Sequence, residues 1–245
     1  MFSSMLALLR RAPRSALEIA LPRLTEVAPD FTAAERALMA RVRPFTMTSI
    51  ERVTGLAHAV RYLIRAGIPG AMAECGVWKG GSVMAVAFTL LELGEVRDIY
   101  LFDTFEGMTP PTERDITYAG VTAVELLASP TGRMRCDAGM DQVRSAVAST
   151  GYPMDRVHLV PGRVEETLPD KAPDHLALLR LDTDFYASTS HELAHLYPRL
   201  SAGGVLILDD YGAWRGARQA VDEYFDGAAV LLHRLDWTGR LVMKP

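Results

Sequence analysis

The chain has 245 residues, with 26 Lys plus Arg against 30 Asp plus Glu and a formal net charge of -4. That length fits one catalytic-sized domain with additions better than two equal domains, and the mild acidity gives no support for a basic nucleic-acid footprint. At 49% hydrophobic and 23% charged residues the composition belongs to a globular chain rather than a charged disordered tail, and two cysteines, Cys75 and Cys136, are too few for a disulfide scaffold or a thiolate zinc cluster.

The N-terminal stretch sets Arg10, Arg11, Arg14 and Arg23 among apolar residues. A secretory signal places its basic region before an uninterrupted apolar core, and here the order is reversed. An amphipathic docking helix and a cytoplasmic chain are therefore expected. The apolar run VMAVAFTLL (83–91) meets Glu92, well before the roughly 20 residues of a bilayer span, so no stable membrane insertion is expected. Helical patterns cover residues 32–43 and 49–66. In the second, Val53, Leu56, Val60 and Leu63 make one apolar face and Ser49 can cap the start. Residues 1–66 are read as a helical arm and 67–245 as the catalytic domain.

Short apolar runs then alternate with helical patterns. Strand-like runs at 71–77, 98–103, 157–162, 176–182 and 204–210 alternate with helices at 81–92, 138–149, near Glu165, at 188–199 and at 215–226. Near-continuous apolar strands separated by helices predict a doubly wound α/β fold with a mostly parallel sheet. Residues 229–235 and 239–244 are expected to form an antiparallel end of that sheet. Residues 107–135 are too long for a simple connector, so a helix around 121–128 or a lid is expected there.

Ligands of this architecture sit at the C-terminal ends of the strands, and here those ends are acidic. The first run gives Glu74-Cys75-Gly76, followed by Lys79-Gly80-Gly81-Ser82. Glycines let the backbone approach a ligand, and the helix N-terminus offers free N–H groups to an anion. The second run ends at Asp103, followed by Thr104 and Phe105. An acid there can accept both ribose hydroxyls of a nucleoside, or can cap a turn. Without the GxGxxG fingerprint, a smaller nucleoside such as S-adenosylmethionine fits better than NAD.

The segments LDTDFYAST (181–189) and ILDDYG (207–212) put Asp182, Asp184, Asp209 and Asp210 at adjacent strand tips. Four carboxylates so placed repel, and a hard divalent cation such as Mg2+ removes the conflict. Asp182, Asp209 and Asp210 are the preferred metal ligands and Asp184 the preferred base, with Asp182 and Asp184 interchangeable at this level. HELAH (191–195) also satisfies the zinc-protease pattern HExxH. No distal ligand accompanies it, so surface or packing histidines are expected.

In combination, AECGVWKGGS (73–82), LFDTFEGM (101–108), LVPGRVEETLP (159–169), LLRLDTDFYAST (178–189) and ILDDYGAWRGARQAVDEY (207–224) resemble the macrocin O-methyltransferase family. The resemblance implies a Rossmann-like class I methyltransferase with a seven-stranded sheet, using S-adenosylmethionine and Mg2+ to methylate a sugar hydroxyl of a natural product. It implies that Glu74 and Gly76 line the methionine end of the cofactor, that Ser82 holds its carboxylate, and that Asp103 binds ribose with Thr104 and Phe105 nearby. Met47 and Thr48 would close over the cofactor, Asp137 would approach adenine, and Gly162 would lie at the next strand tip. Asp182, Asp209 and Asp210 would form the metal site, Asp182 also bordering the cofactor, with Asp184 as base. The acceptor would be a small-molecule glycoside and the protein a homodimer or larger homo-oligomer. A catechol or small-diol O-methyltransferase and a noncatalytic nucleoside-binding protein are the alternatives.

Overall fold

A computed structural model describes residues 29–129 and 135–245. The docking helix expected near the N-terminus and residues 130–134 of the expected lid lie outside the described residues. The chain divides into two compact units, Met1–Arg36 and Ala37–Pro245. In the first, Thr32 and Glu35 form reciprocal hydrogen bonds at the start of helix α1 (Ala33–Val42), the Thr32 N–H donating to Glu35 Oε2 at 2.7 Å.

The second unit is built on a seven-stranded sheet. Helix α2 (Ile50–Arg65) starts at Ser49, whose side chain accepts from the Arg52 N–H, and it buries Val53, Leu56, Val60 and Leu63. The elements β1 (Ala71–Cys75), α3 (Gly81–Glu92), β2 (Ile99–Asp103), α4 (Ala123–Leu127), α5 (Met140–Ala148), β3 (Val157–Pro161), α6 (Val164–Thr167), β4 (Leu176–Leu181), α7 (Tyr186–Leu196), β5 (Leu200–Leu208), α8 (Arg215–Tyr224), β6 (His233–Arg234) and β7 (Arg240–Met243) follow. The strand order is β3-β2-β1-β4-β5-β7-β6. The first five are mutually parallel, whereas β7 pairs antiparallel with β5 and with β6.

Apolar helices cover both faces. Met72, Leu178, Val205 and Ile207 join α2, α3 and α5 in one cluster, while Ala73, Leu179, Leu206 and Leu208 join α7 and α8 in the other. Every residue of β1 and β4 is buried, as a two-sided sheet requires. Burying such a Leu contributes about 1.5–3 kcal/mol, so this doubly covered sheet is the rigid frame under the strand tips. No helix among the described residues is long and apolar enough to cross a membrane.

Helix α7 stops at Leu196 and tightens into a 3-10 turn over Tyr197–Arg199, because Pro198 lacks the N–H needed to continue. The strand expected over 229–235 contracts to His233–Arg234. Helix α4 forms where a helix or lid was expected, with Thr122 and Glu125 in a capping box.

Candidate active site

Register brings the predicted acids together. Glu74 on β1 is the Cα partner of Arg180 on β4, so the two side chains leave the same face of the sheet. Each strand ladder runs one rung past its end: the Gly76 N–H donates to Phe102 O, that of Asp182 to Cys75 O, that of Asp209 to Leu181 O, and that of Gly162 to Asp103 O. The tips of β1, β4 and β5 are thereby aligned at the β1–β4 boundary, where the strand order reverses. Gly76 has φ +79, and a Cβ there would lie 2.0 Å from Asp182 O, so only glycine lets these tips approach.

Arg180 organises the floor. Its guanidinium meets Glu74 Oε1 at 2.5 Å, Asp182 Oδ2 at 2.8 Å and Asp209 Oδ1 at 2.5 Å, and donates to Thr48 Oγ1 at 3.1 Å. Arg52 pairs with Asp209 and, at 2.9 Å, with Asp236 Oδ2, which also accepts from the Ser49 hydroxyl at 2.8 Å. Five carboxylates, Glu74, Asp182, Asp184, Asp209 and Asp210, thus face two guanidiniums. Burial pushes the Glu74 carboxyl up to about 7 against the pull of Arg180. Burial and the charge of Asp182 raise Asp184, and burial with the charge of neighbouring acids raises Asp182 and Asp210. Ligand atoms of Asp182, Asp209 and Asp210 all lie within 4.8 Å of one another, the one such group among the described residues. Clustered hard oxygens with excess negative charge fit a divalent cation of the Mg2+ type.

A cavity of about 670 Å³ opens over these tips, ample for a cofactor-sized ligand. Met47, Thr48, Glu74, Gly76, Ser82, Asp103 and Thr104 line it, as do Gly162, Asp182, Asp184, Asp209 and Asp210. Thr48 is buried against Arg180, while Met47 is exposed at the mouth. Phe105 lies beneath rather than on the wall, packed in the core, and its N–H donates to Asp103 Oδ1 at 2.7 Å. The other Asp103 oxygen accepts from the Val77 and Trp78 N–H groups at 2.6 and 3.1 Å, so this side chain is both turn cap and cavity wall. Asp137 is exposed next to Gly107 and is absent from the lining.

Among the described residues, four non-glycine residues adopt positive φ: Trp78, Phe105, Cys136 and Asp184. All sit at or beside the cavity, where such conformations concentrate in functional sites. Asp184, at φ 65, is held on both sides: its N–H donates to Asp210 Oδ2 at 3.0 Å, and Trp214 Nε1–H donates to its Oδ1 at 2.6 Å. Cys136 faces the same acids, and burial with their charge pushes its thiol up to about 12. It is therefore a neutral wall residue.

Arg180, Arg52 and Asp115 are residues of the site that motif and spacing do not assign to it. A lone charge inside LALLRLD was the visible signal for Arg180. Asp115 is fully buried, its Oδ1 accepting from the Tyr186 N–H and its Oδ2 from Thr112. It bolts the segment after β2 to the start of α7, and nothing local in the sequence announces it.

The HELAH segment is not a metal site among the described residues. The His191 and His195 rings lie 4.3 Å apart, tilted by 56°, but Glu192 turns inward, fully buried, its Oε2 accepting from Thr183 Oγ1 and its Oε1 without a partner. Burial pushes this carboxyl from an ordinary 4.5 up to about 8. The folded chain therefore keeps the proton across that interval while the unfolded chain loses it, and stability falls as pH rises through it. Glu192→Gln is expected to melt well above wild type at about pH 9 and close to it at about pH 5. Identical pH slopes of the melting temperature in the two proteins would contradict this assignment.

A 3-2-1-4-5 parallel sheet with an antiparallel end, a glycine-bordered cavity over its switch point and acids at the tips of β1, β2, β4 and β5 define a class I methyltransferase. The chain belongs to the macrocin O-methyltransferase family, whose model matches residues 22–243, and it is an O-methyltransferase. It is 34% identical over 206 residues to 8-demethyl-8-(2,3-dimethoxy-alpha-L-rhamnosyl)-tetracenomycin-C 4'-O-methyltransferase of Streptomyces olivaceus, covering 79% of this chain and 73% of that protein. It is also 34% identical over 183 residues to mycinamicin III 3''-O-methyltransferase of Micromonospora griseorubida, covering 74% and 70%. Among solved structures, the O-methyltransferase NovP superposes with a TM-score of 0.71 at 30% identity, covering 82% of each chain.

Proposed function

We propose that the chain transfers the methyl group of S-adenosylmethionine to a hydroxyl of a sugar-like moiety on a glycosylated natural product, with Mg2+ held by Asp182, Asp209 and Asp210. The observation that carries this reading is the convergence of those three carboxylates within 4.8 Å, on one wall of the cavity that Asp184 also lines. The name of the Streptomyces olivaceus relative supports the acceptor class, since its acceptor carries a rhamnosyl group. When bound, S-adenosylmethionine supplies an electrophilic sulfonium methyl, and Mg2+ supplies Lewis acidity that lowers the pKa of the acceptor hydroxyl.

The remaining work falls to the chain. Glu74, Gly76 and Ser82 would receive the methionine end, Asp103 and Thr104 the ribose, Gly162 the nucleoside side, with Met47 and Thr48 closing above. Phe105 acts through its N–H, which sets the Asp103 carboxylate; Asp137 would meet adenine from the exposed rim. Asp184 would take the hydroxyl proton on its carboxylate as general base, its rotamer fixed by the Trp214 indole. Arg180 holds the floor rigid and anchors the closing segment through Thr48 Oγ1, and alignment in a site so shaped is what methyl transfer chiefly needs.

The test is mass spectrometry of glycosides incubated with the enzyme and S-adenosylmethionine, looking for a gain of one methylene unit. Product should form with Mg2+, vanish with EDTA and return when Mg2+ is restored. Full turnover after chelation would overturn the metal assignment. Methylation of catechols but of no sugar hydroxyl would overturn the acceptor class.

A further inference from the structure

The cavity has an acidic floor and an apolar, aromatic mouth. Trp237 is 74% exposed, Met47 56% and Tyr118 43%, and all three line the cavity although they come from distant segments. Large exposed apolar side chains grouped beside a polar site mark ligand-binding surface. Trp237 stands out because its backbone is fixed while its side chain is free. It occupies the turn between β6 and β7, which the Leu235 N–H closes onto Gly239 O, and Asp236 Oδ1 accepts from the Thr238 and Gly239 N–H groups at 2.9 and 2.7 Å. Burial alone would raise Asp236, but those hydrogen bonds, the Ser49 hydroxyl and the Arg52 charge hold it below its ordinary value. The same Arg52 pairs with Asp209, so the turn carrying the indole is joined to the acidic floor through one side chain. On the other side the Gly212 N–H donates to Thr238 O at 2.9 Å, where a Cβ on Gly212 would strike Trp237 O.

Charge narrows what can stack there. Among the described residues lining the cavity, seven are acidic and two, Arg52 and Arg163, are basic. Arg52 is paired with Asp209 and Asp236, and Arg163 lies 3.5 Å from Glu165. This lining offers no unpaired cation to a phosphate and disfavours an anionic acceptor. A neutral group with a flat apolar face suits an indole held at the mouth.

Resting on the acceptor reading above, we infer that Trp237 determines acceptor specificity: it is the platform on which the uncharged, non-reacting part of the acceptor stacks, while the reacting hydroxyl reaches the acids below. The Asp236 turn is its positioning element. This part of the acceptor contributes binding and alignment and undergoes no chemistry.

The test is equilibrium binding of two probes to the S-adenosylhomocysteine-loaded enzyme by calorimetry: p-nitrophenyl α-L-rhamnopyranoside, and methyl α-L-rhamnopyranoside, which keeps the sugar but lacks the aryl face. Wild type should bind the aryl glycoside about tenfold more tightly than the methyl glycoside. Trp237→Ala should erase that preference and Trp237→Phe should keep most of it, with affinity for S-adenosylhomocysteine and melting temperature unchanged because the indole is exposed. Equal binding of the two glycosides to wild type, or an undiminished preference in Trp237→Ala, would overturn the platform while leaving the sugar reading standing. Failure of both glycosides to bind would overturn the platform together with the sugar reading. Dissociation of an oligomer on Trp237→Ala, seen by sedimentation velocity, would reassign the indole to a contact between copies and overturn the proposal.

Discussion

Arg180→Ala is expected to destabilise the protein by about 3–5 kcal/mol, the scale for stripping one partner from a buried ion pair. The side chain is 3% exposed and spans three carboxylates, Glu74, Asp182 and Asp209. Burial alone would lower its pKa, but those three charges outweigh burial and raise it, so the guanidinium stays charged. Without it, Glu74 and Asp209 would remain buried with one fewer cation between them. A loss of this size is a large share of the roughly 5–15 kcal/mol that holds a domain together, so partial unfolding at growth temperature is expected. Arg180→Lys should recover part of the loss, because an ammonium keeps the charge but cannot fork to three acceptors. Pairing Arg180→Met with Glu74→Gln should recover more than Arg180→Met alone, since it removes an orphaned acid together with its partner. Urea unfolding of these variants reads the series directly. A loss below about 1 kcal/mol for Arg180→Ala, as for a surface pair, would show that the floor does not depend on it.

Much of the frame was legible because its causes are local. Ser49 and Thr122 cap α2 and α4 through neighbouring N–H groups, and the apolar runs that became β1 to β5 need helices on both faces wherever they pair. The misreadings lie where the partner is distant. The strand expected over 204–210 begins earlier, at Leu200, because Leu200 pairs with Leu176, the Gly203 N–H donates to Lys244 O and that of Lys244 to Gly204 O. Residues 229–232 are apolar enough for a strand but find no ladder, since β6 pairs with β7 through His233 and Arg234 alone.

The site divides in the same way. Asp182 and Asp209 directly follow strands, so once those strands were recognised their carboxylates had to meet at one edge. Arg52 and Asp236 lie far apart in sequence, and only the packing of α2 beside the β6–β7 turn brings them together. Asp115 reaches Tyr186, and Trp214 reaches Asp184, across similar gaps. Patterning shows which face a residue occupies, but cannot show which residue of another element stands opposite it.

The second large effect concerns Asp184 itself. Asp184→Asn keeps the shape of the side chain and its acceptor oxygen for the Trp214 indole, but cannot accept a proton. Turnover should fall by about 100- to 10,000-fold, the range over which a positioned general base acts. Affinity for S-adenosylhomocysteine should hold, because Asp184 belongs to the wall opposite the nucleoside subsite in the proposed arrangement. The pH profile separates a base from a merely structural acid. In wild type, burial and the charge of Asp182 raise the Asp184 carboxyl, so the active ionised form builds up as pH rises and the rate climbs on an acid limb. That limb should be missing in Asp184→Asn, whose residual rate should depend on pH only through other groups. Trp214→Phe supplies the complementary case: it retains an aromatic ring at the edge-on contact with Phe185 but removes the N–H that orients the carboxylate. It should lower turnover by about tenfold, the worth of one hydrogen bond to a charged group, while keeping the acid limb. If Asp184→Asn kept both its rate and its acid limb, the base would have to be sought among the other carboxylates at the tips of β4 and β5, with Asp182 first, because it projects into the same cavity from two residues away.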